Sequence, residues 1–550
     1  MSELTCDVDR DIALDDASRL VARARKVLAN GDLAMSARPL LFGETGVYPQ
    51  FLAEANGCRV VDTTGGVYVD WVLGWGTALL GYRRREIDEA VQRQLAAAPT
   101  LTMPHRLEVE VAEQIVEMVP CAEMVAFGKN GSDAVTAAVR LARAVTERDV
   151  ILQFGYHGFH DWFAEGDRSI RGIPAHVNAL VHPFPYNDLA SLEALFEKHR
   201  GKVAAVVMEP FREELPKNGF LSAVRDLTRR HDALLVFDEM ITGFRVARGG
   251  AQELFDVIPD LACFGKALSN GMPLSALVGP RNLMRSADSV GVDMGCRGET
   301  LSLASARGAL QIYKNEPIAE RVAAIGQAVA RGIEEVAERE RIPLRVIGHP
   351  ARMELRFEDL QGLPKAAALG LFVQGCLESG VITNGLIFPS AAHDADAIDA
   401  TIEAARTALR IVRRAADGHT ATLPPPFGPA TIGFLDSAEI DAGELRLVGW
   451  ILPLGGPPDS VELIDADGRT AEAEIVSRPD VAQAYPAVAD ARRCGWSMKI
   501  AVKSAVPGLT WTLRAKRGGK IVYRGRLVAD LRSYKRSFPR ELRDGHVVEF

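Results

Sequence analysis

A chain of 550 residues exceeds what one hydrophobic core organises, so more than one domain is expected. With 47% hydrophobic and 25% charged residues it has the composition of a folded soluble protein rather than a disordered or fibrous one. A net charge of -8 gives no general attraction to nucleic-acid phosphates or anionic lipid, which excludes those classes of partner.

The acidic opening MSELTCDVDRDIALDD lacks a positive n-region and an apolar h-region, and no later apolar run is long enough to span a bilayer. A cytoplasmic protein without membrane insertion is expected. The cysteines Cys6, Cys58, Cys121, Cys263, Cys296, Cys376 and Cys494 are odd in number, scattered and never form a CxxC pair. They read as reduced thiols rather than disulfides or metal ligands.

From about Lys26 to Gly418, short apolar runs alternate with amphipathic segments, the pattern of a mostly parallel sheet covered by helices. Leu107, Val111, Ile115 and Met118 mark one face of a helix that Pro120 terminates. Val150–Phe154, Val203–Met208 and Ala233–Phe237 read as strands, the last two buried and each followed by an acid, Glu209 and Asp238. Between those two, Phe220 to Arg230 carries Leu221, Val224 and Leu227 at helical spacing, completing a βαβ unit. The proline cluster Thr422–Pro429 marks an extended linker. Beyond it Glu444–Trp450, Ser460–Ile464 and Leu509–Leu513 alternate polar with apolar between glycine turns, which predicts an all-β module.

Four stretches carry chemistry. In Phe237-Asp238-Glu239-Met240, a strand delivers Asp238 to its C-terminal edge, where open α/β sheets bind ligands. A carboxylate there can hold a pyridine nitrogen protonated, although a strand-end Asp alone serves equally as a helix cap or a metal ligand. Lys266, in Phe264-Gly265-Lys266-Ala267-Leu268, follows an apolar run. Such neighbours disfavour its ammonium form and supply a neutral amine that attacks an aldehyde, while the glycines let backbone approach a flat ring. Gly131 and Ser132, in Gly128-Lys129-Asn130-Gly131-Ser132-Asp133, sit at a helix N-terminus that attracts phosphate, or simply caps it. Tyr156 and His157, in Tyr156-His157-Gly158, form an aromatic pair after a strand, suited to stacking or to the core.

In this order these stretches resemble the class III aminotransferases of fold type I, which use pyridoxal 5'-phosphate (PLP), and most closely the glutamate-1-semialdehyde aminomutase-like branch. The resemblance runs from about Arg38 to His393 and includes Gly65–Trp71, Met208-Glu209-Pro210, Pro259-Asp260-Leu261 and Gly298-Glu299-Thr300. It implies an α/β PLP-transferase with a mostly parallel sheet and a small α+β domain, followed by an all-β sandwich. The expected boundaries are 1–421 for the aminotransferase domain, with its cofactor part at about 90–320, then 422–430 for the linker and 431–550 for the sandwich.

Carried over residue by residue, Lys266 is implied as Schiff-base lysine and proton shuttle, and Asp238 as partner of the pyridine nitrogen. Gly131 and Ser132 would grip the phosphate, Tyr156, with His157 beside it, would stack on the ring, and Met240 would pack the opposite face. Glu209 would be a structural acid under the cofactor. Thr300 would reach the cofactor of a neighbouring subunit, implying a homodimer with shared sites. Arg38 is a candidate for binding a substrate carboxylate, and Trp75 for a pocket wall.

The chain departs from the aminomutases in two places. Phe211–Leu215 lacks their Gly-Asn pattern, and Leu386–His393 lacks their Phe-Glu element. These departures favour an aminotransferase moving nitrogen from a donor, glutamate by resemblance, to a keto or aldehyde acceptor in sugar or natural-product pathways. An aminomutase and a non-catalytic, glycan-binding scaffold are the alternatives. The C-terminal module resembles a β-sandwich appended to bacterial glycosyltransferases, in which Trp450 and Trp496 are more readily core residues than a sugar-stacking platform.

Overall fold

The computed structural model describes residues 51–63, 65–164, 172–360, 363 and 365–417, the strands and short helices within 431–549, and isolated positions within 20–28. Arg38, Cys6 and the proline-rich linker lie outside the described residues.

The central sheet has seven strands. They are β1 (Met124–Gly128), β2 (Val150–Phe154), β3 (Val181–Pro183), β4 (Val203–Met208), β5 (Leu234–Asp238), β6 (Leu261–Phe264) and β7 (Ser275–Gly279). Their order is β1-β7-β6-β5-β4-β2-β3. Neighbours from β3 through β6 run parallel, and β7 alone is antiparallel to both β6 and β1. The expected strand at Ala233–Phe237 is displaced by one residue. Ala233 still closes the preceding helix by donating its amide to Thr228, while Asp238 is drawn into register with Cys263.

The strands are continuously apolar because both faces are covered. Val206, Leu235, Phe237, Ala262 and Phe264 enter a core shared with helices α1 (Arg106–Met118), α3 (Phe220–Arg230) and α4 (Thr300–Asn315). Their neighbours Ala205, Val207, Val236, Leu261 and Cys263 enter a core on the other face, against α2 (Gly131–Thr146). The one-residue alternation assigns every second side chain to each layer. As expected, Leu107, Val111, Ile115 and Met118 form the buried stripe of α1, whose start is fixed by a capping box between His105 and Glu108.

A further core joins Cys58 and Trp71 to Val329, Phe357, Phe372, Val381 and Leu409, from a small sheet, a three-stranded sheet and the helices Ile318–Arg339, Lys365–Glu378 and Ala395–Ala416. C-terminal to these elements lie two five-stranded sheets. Trp450 and Trp496 are both buried in the first of them, and so offer no stacking platform.

Gly326, in the helix Ile318–Arg339, is pressed against the turn at Pro350, and a β-carbon there would lie 1.8 Å from the Pro350 carbonyl oxygen. In an open helix Gly→Ala stabilises by about 1 kcal/mol. Here Gly326→Ala is expected to destabilise by roughly 1–3 kcal/mol, because backbone must move to admit it. A chemical denaturation midpoint equal to or above that of the wild type would contradict this packing.

Candidate active site

The parallel strands deliver their following residues to one edge, and those residues line a single cavity of about 710 Å³. From β1 come Lys129, Asn130, Gly131 and Ser132, from β2 Tyr156 and His157, and from β4 Glu209 and Arg212. From β5 come Asp238 and Met240, and from β6 Lys266.

Lys266 occupies the first position of a tight turn with φ of 48°, a left-handed conformation that a residue with a β-carbon adopts at a cost. What surface it exposes faces the cavity. Burial pushes its ammonium below the ordinary lysine range, against the opposing pull of Glu209 and Asp238. The lysine is thereby biased toward the neutral amine.

Asp238 is buried, and both carboxyl oxygens are held. Oδ1 accepts the Met240 amide at 3.1 Å, and Oδ2 faces His157 Nδ1 at 2.8 Å. The other ring nitrogen, Nε2, lies 3.0 Å from the Phe154 carbonyl, an acceptor only, so that nitrogen carries a proton. His157 thus orients the carboxylate.

Glu209 accepts the Tyr156 amide at 2.8 Å and stands 3.7 Å from Arg212 Nε. Burial raises its pKa, partly offset by Arg212. Gly155, with φ of 111°, permits this approach, since a β-carbon would lie 2.7 Å from Glu209 Oε1.

The start of α2 is prepared for an anion. Asn130 caps it by accepting the Asp133 amide, and the Asp133 carboxylate takes the amides of Lys129 and Asn130. This leaves the first-turn amides of Gly131 and Ser132 as donors at the cavity wall. The Ser132 hydroxyl accepts the Phe159 amide at 3.2 Å, so its own proton is available to donate. Met240 packs between two glycines: a β-carbon would stand 3.1 Å from its sulfur at Gly131 and 2.6 Å from it at Gly265.

A lysine whose ammonium form is disfavoured, a braced carboxylate, an aromatic ring, a thioether and a phosphate cradle in one cavity fit PLP. Lys266 would hold its aldehyde carbon, Asp238 its ring nitrogen, and Gly131 and Ser132 its phosphate.

The chain matches the model of the class-III aminotransferase family over residues 43–406. It belongs to that family. The enzyme is 36% identical over 358 residues to 3-aminobutyryl-CoA aminotransferase of Cloacimonas acidaminovorans, covering 64% of this chain and 86% of that one. It is 31% identical to glutamate-1-semialdehyde 2,1-aminomutase of Methanocaldococcus jannaschii, covering 72% and 97%. Among solved structures, the FumI protein of Sphingopyxis sp. MTA144 in its PLP internal-aldimine form is 33% identical, with a TM-score of 0.69 over 74% of this chain and 98% of that one. The enzyme is a PLP-dependent aminotransferase of fold type I.

Of the residues singled out from sequence, Lys266, Asp238, Gly131, Ser132, Tyr156, His157, Glu209, Met240 and Trp75 all line the cavity. Thr300 does not. It is buried at the start of α4, with its hydroxyl donating to the Ala98 carbonyl at 2.6 Å. Its neighbour Glu299 caps α4 and pairs with Lys129 at 2.8 Å.

Sequence reading missed three arginines. Arg212 and Arg352 line the cavity. Arg245, fully buried, donates to the carbonyls of Gly76 at 2.6 Å, Pro389 at 2.9 Å and Ala351 at 3.1 Å. Each of those residues adjoins one on the cavity wall, Trp75, Phe388 and Arg352 respectively. Among the described residues no carboxylate pairs with Arg245, and burial pushes its pKa down to about 10.

Gly158 tests the phosphate cradle. Its φ is 101°, and a β-carbon there would fall 2.2 Å from Ser132 Oγ. Gly158→Ala is expected to displace Ser132 and weaken PLP retention at least tenfold, equivalent to about 1.4 kcal/mol. Equilibrium dialysis of the variant with wild-type retention would contradict the assignment of Ser132.

Proposed function

We propose that the enzyme takes an amino group from L-glutamate and passes it to a keto or aldehyde acceptor in two half-reactions. The observation that carries this reading is the buried Lys266 amine beside the His157-braced Asp238 carboxylate in one cavity. PLP, when bound, supplies an electrophilic carbon and a ring that withdraws electrons from the reacting substrate carbon. Asp238 would hold the ring nitrogen protonated, which would sustain that withdrawal. Lys266 would hold the cofactor and, once freed by the donor amine, would take the proton from the donor's α-carbon. In the second half-reaction the same amine would give a proton to the acceptor-derived carbon.

The acceptor is read as a carbonyl compound of sugar, surface-polysaccharide or natural-product pathways, and the enzyme as a cytoplasmic homodimer. Support for a dimer comes from exposed apolar side chains, Leu101, Met103 and Val109 about the start of α1 and Phe159 beside the phosphate cradle. In that assembly the α4 start, with Thr300, would approach the partner's cofactor.

The aminomutases among its relatives favour a second reading, isomerisation of a single substrate. The stretch Leu386–His393 lacks the Phe-Glu element of those enzymes, and within it the Pro389 carbonyl is committed to Arg245.

Adding L-glutamate to the purified enzyme without acceptor is expected to bleach the visible cofactor band and release about one 2-oxoglutarate per active site, as a ping-pong reaction requires. A band unmoved by glutamate but discharged by one amino-aldehyde, with no acceptor added, would contradict the aminotransferase reading and establish the aminomutase.

A further inference from the structure

Arg352 opens the strand Arg352–Phe357, directly after the turn at Pro350-Ala351, and its side chain lines the active-site cavity. It is 4% exposed, and its Nε and Nη1 meet no acceptor. Among the described residues no carboxylate forms an ion pair with it. Glu209, the acid whose charge bears on it most, is engaged with the Tyr156 amide and Arg212. A buried guanidinium with unfilled donors is costly to a fold, because desolvation is not repaid by a partner.

The surroundings nonetheless hold it in place. Ala351 donates its amide to His349 Nδ1 at 3.1 Å, and its carbonyl accepts from Arg245 Nη1 at 3.1 Å. Gly326 lets the helix Ile318–Arg339 close against Pro350. Arg352 lies within electrostatic reach of Lys266, since its charge helps to disfavour the lysine's ammonium. Leu386 and Phe388 add apolar wall, and the indole Nε1 of Trp75, also buried without an acceptor, lines the same cavity. A guanidinium without a carboxylate partner, on the wall of the cavity that Lys266 also lines, suits a planar anion, which a guanidinium binds through two parallel hydrogen bonds.

We infer that Arg352 binds the carboxylate of the substrate, so that the amine-bearing substrates of this enzyme are amino acids rather than neutral amines. This rests on the aminotransferase reading and narrows it. The donor's carboxylate accepts from the Arg352 guanidinium, places the α-carbon at Lys266, and leaves with the oxo acid.

The test is calorimetric titration of the full-length holoenzyme with glutarate, a carboxylate that cannot be transaminated. Wild type is expected to bind it, Arg352→Gln to bind it roughly 10- to 100-fold more weakly, and Arg352→Lys to recover part of the loss, all with cofactor retained. Arg352→Met, which removes the unpaired charge, is expected to melt no lower than wild type, showing that the arginine does not serve the fold. Glutarate affinity unchanged in Arg352→Gln, or a melting temperature lowered in Arg352→Met together with lost binding, would overturn the assignment. Because binding is read without turnover, a wild type that binds glutarate through Arg352 but leaves glutamate unreacted would sink the donor reading and leave the carboxylate site standing.

Discussion

The active site depends on one cation that never reaches it. Arg245 leaves the loop after β5, lies fully buried, and spends its guanidinium on three carbonyls contributed by segments 106, 144 and 169 positions away along the chain. Without it the loop carrying Trp75, the turn carrying Arg352 and the segment carrying Phe388 would have no common anchor on the cofactor-binding sheet. The Trp75 loop needs that anchor most: Leu73, Gly74, Trp75 and Gly76 are all left-handed, with φ from 49° to 75°. Asp70 helps from the other end, accepting the amides of Val72 and Leu73. A strained turn persists when its surroundings over-determine it, and here they do so from both sides.

Around that anchor the parallel sheet supplies the rest. Strands that run the same way discharge their following residues at one edge, so side chains scattered from Lys129 to Lys266 converge without any designed long-range pairing. Convergence also sets the electrostatics. Glu209, Asp238, Lys266 and Arg352 share one cavity, where burial opposes the charge of Glu209, Lys266 and Arg352, and the neighbouring opposite charges restore part of it.

This division explains what was legible in the sequence. Strand β4 and helix α3 are found at their expected residues because continuous apolarity and helical spacing are local properties. Lys266 and Asp238 are legible for the same reason, since Asp238 ends its strand and Lys266 lies two residues beyond the end of its own. Arg245 and Arg352 are not. Nothing in Gly243-Phe244-Arg245 or in Pro350-Ala351-Arg352 tells that the side chain is buried, and their roles arise only when distant segments meet. Arg38, singled out for substrate binding, lies outside the described residues, whereas the carboxylate site argued above stands on a strand that sequence reading passed over. Thr300 shows the reverse case, a residue of a recognisable motif whose hydroxyl is engaged with Ala98 within its own chain.

The central claim is that Lys266, and no other lysine, carries the cofactor. Reducing the holoenzyme with borohydride would fix the carbon–nitrogen bond, and peptide mass mapping would then locate it. The account predicts one pyridoxyl-modified peptide, containing Lys266, and none from a Lys266→Ala variant. Modification of a different lysine, or a tightly held cofactor that labels no lysine at all, would contradict it.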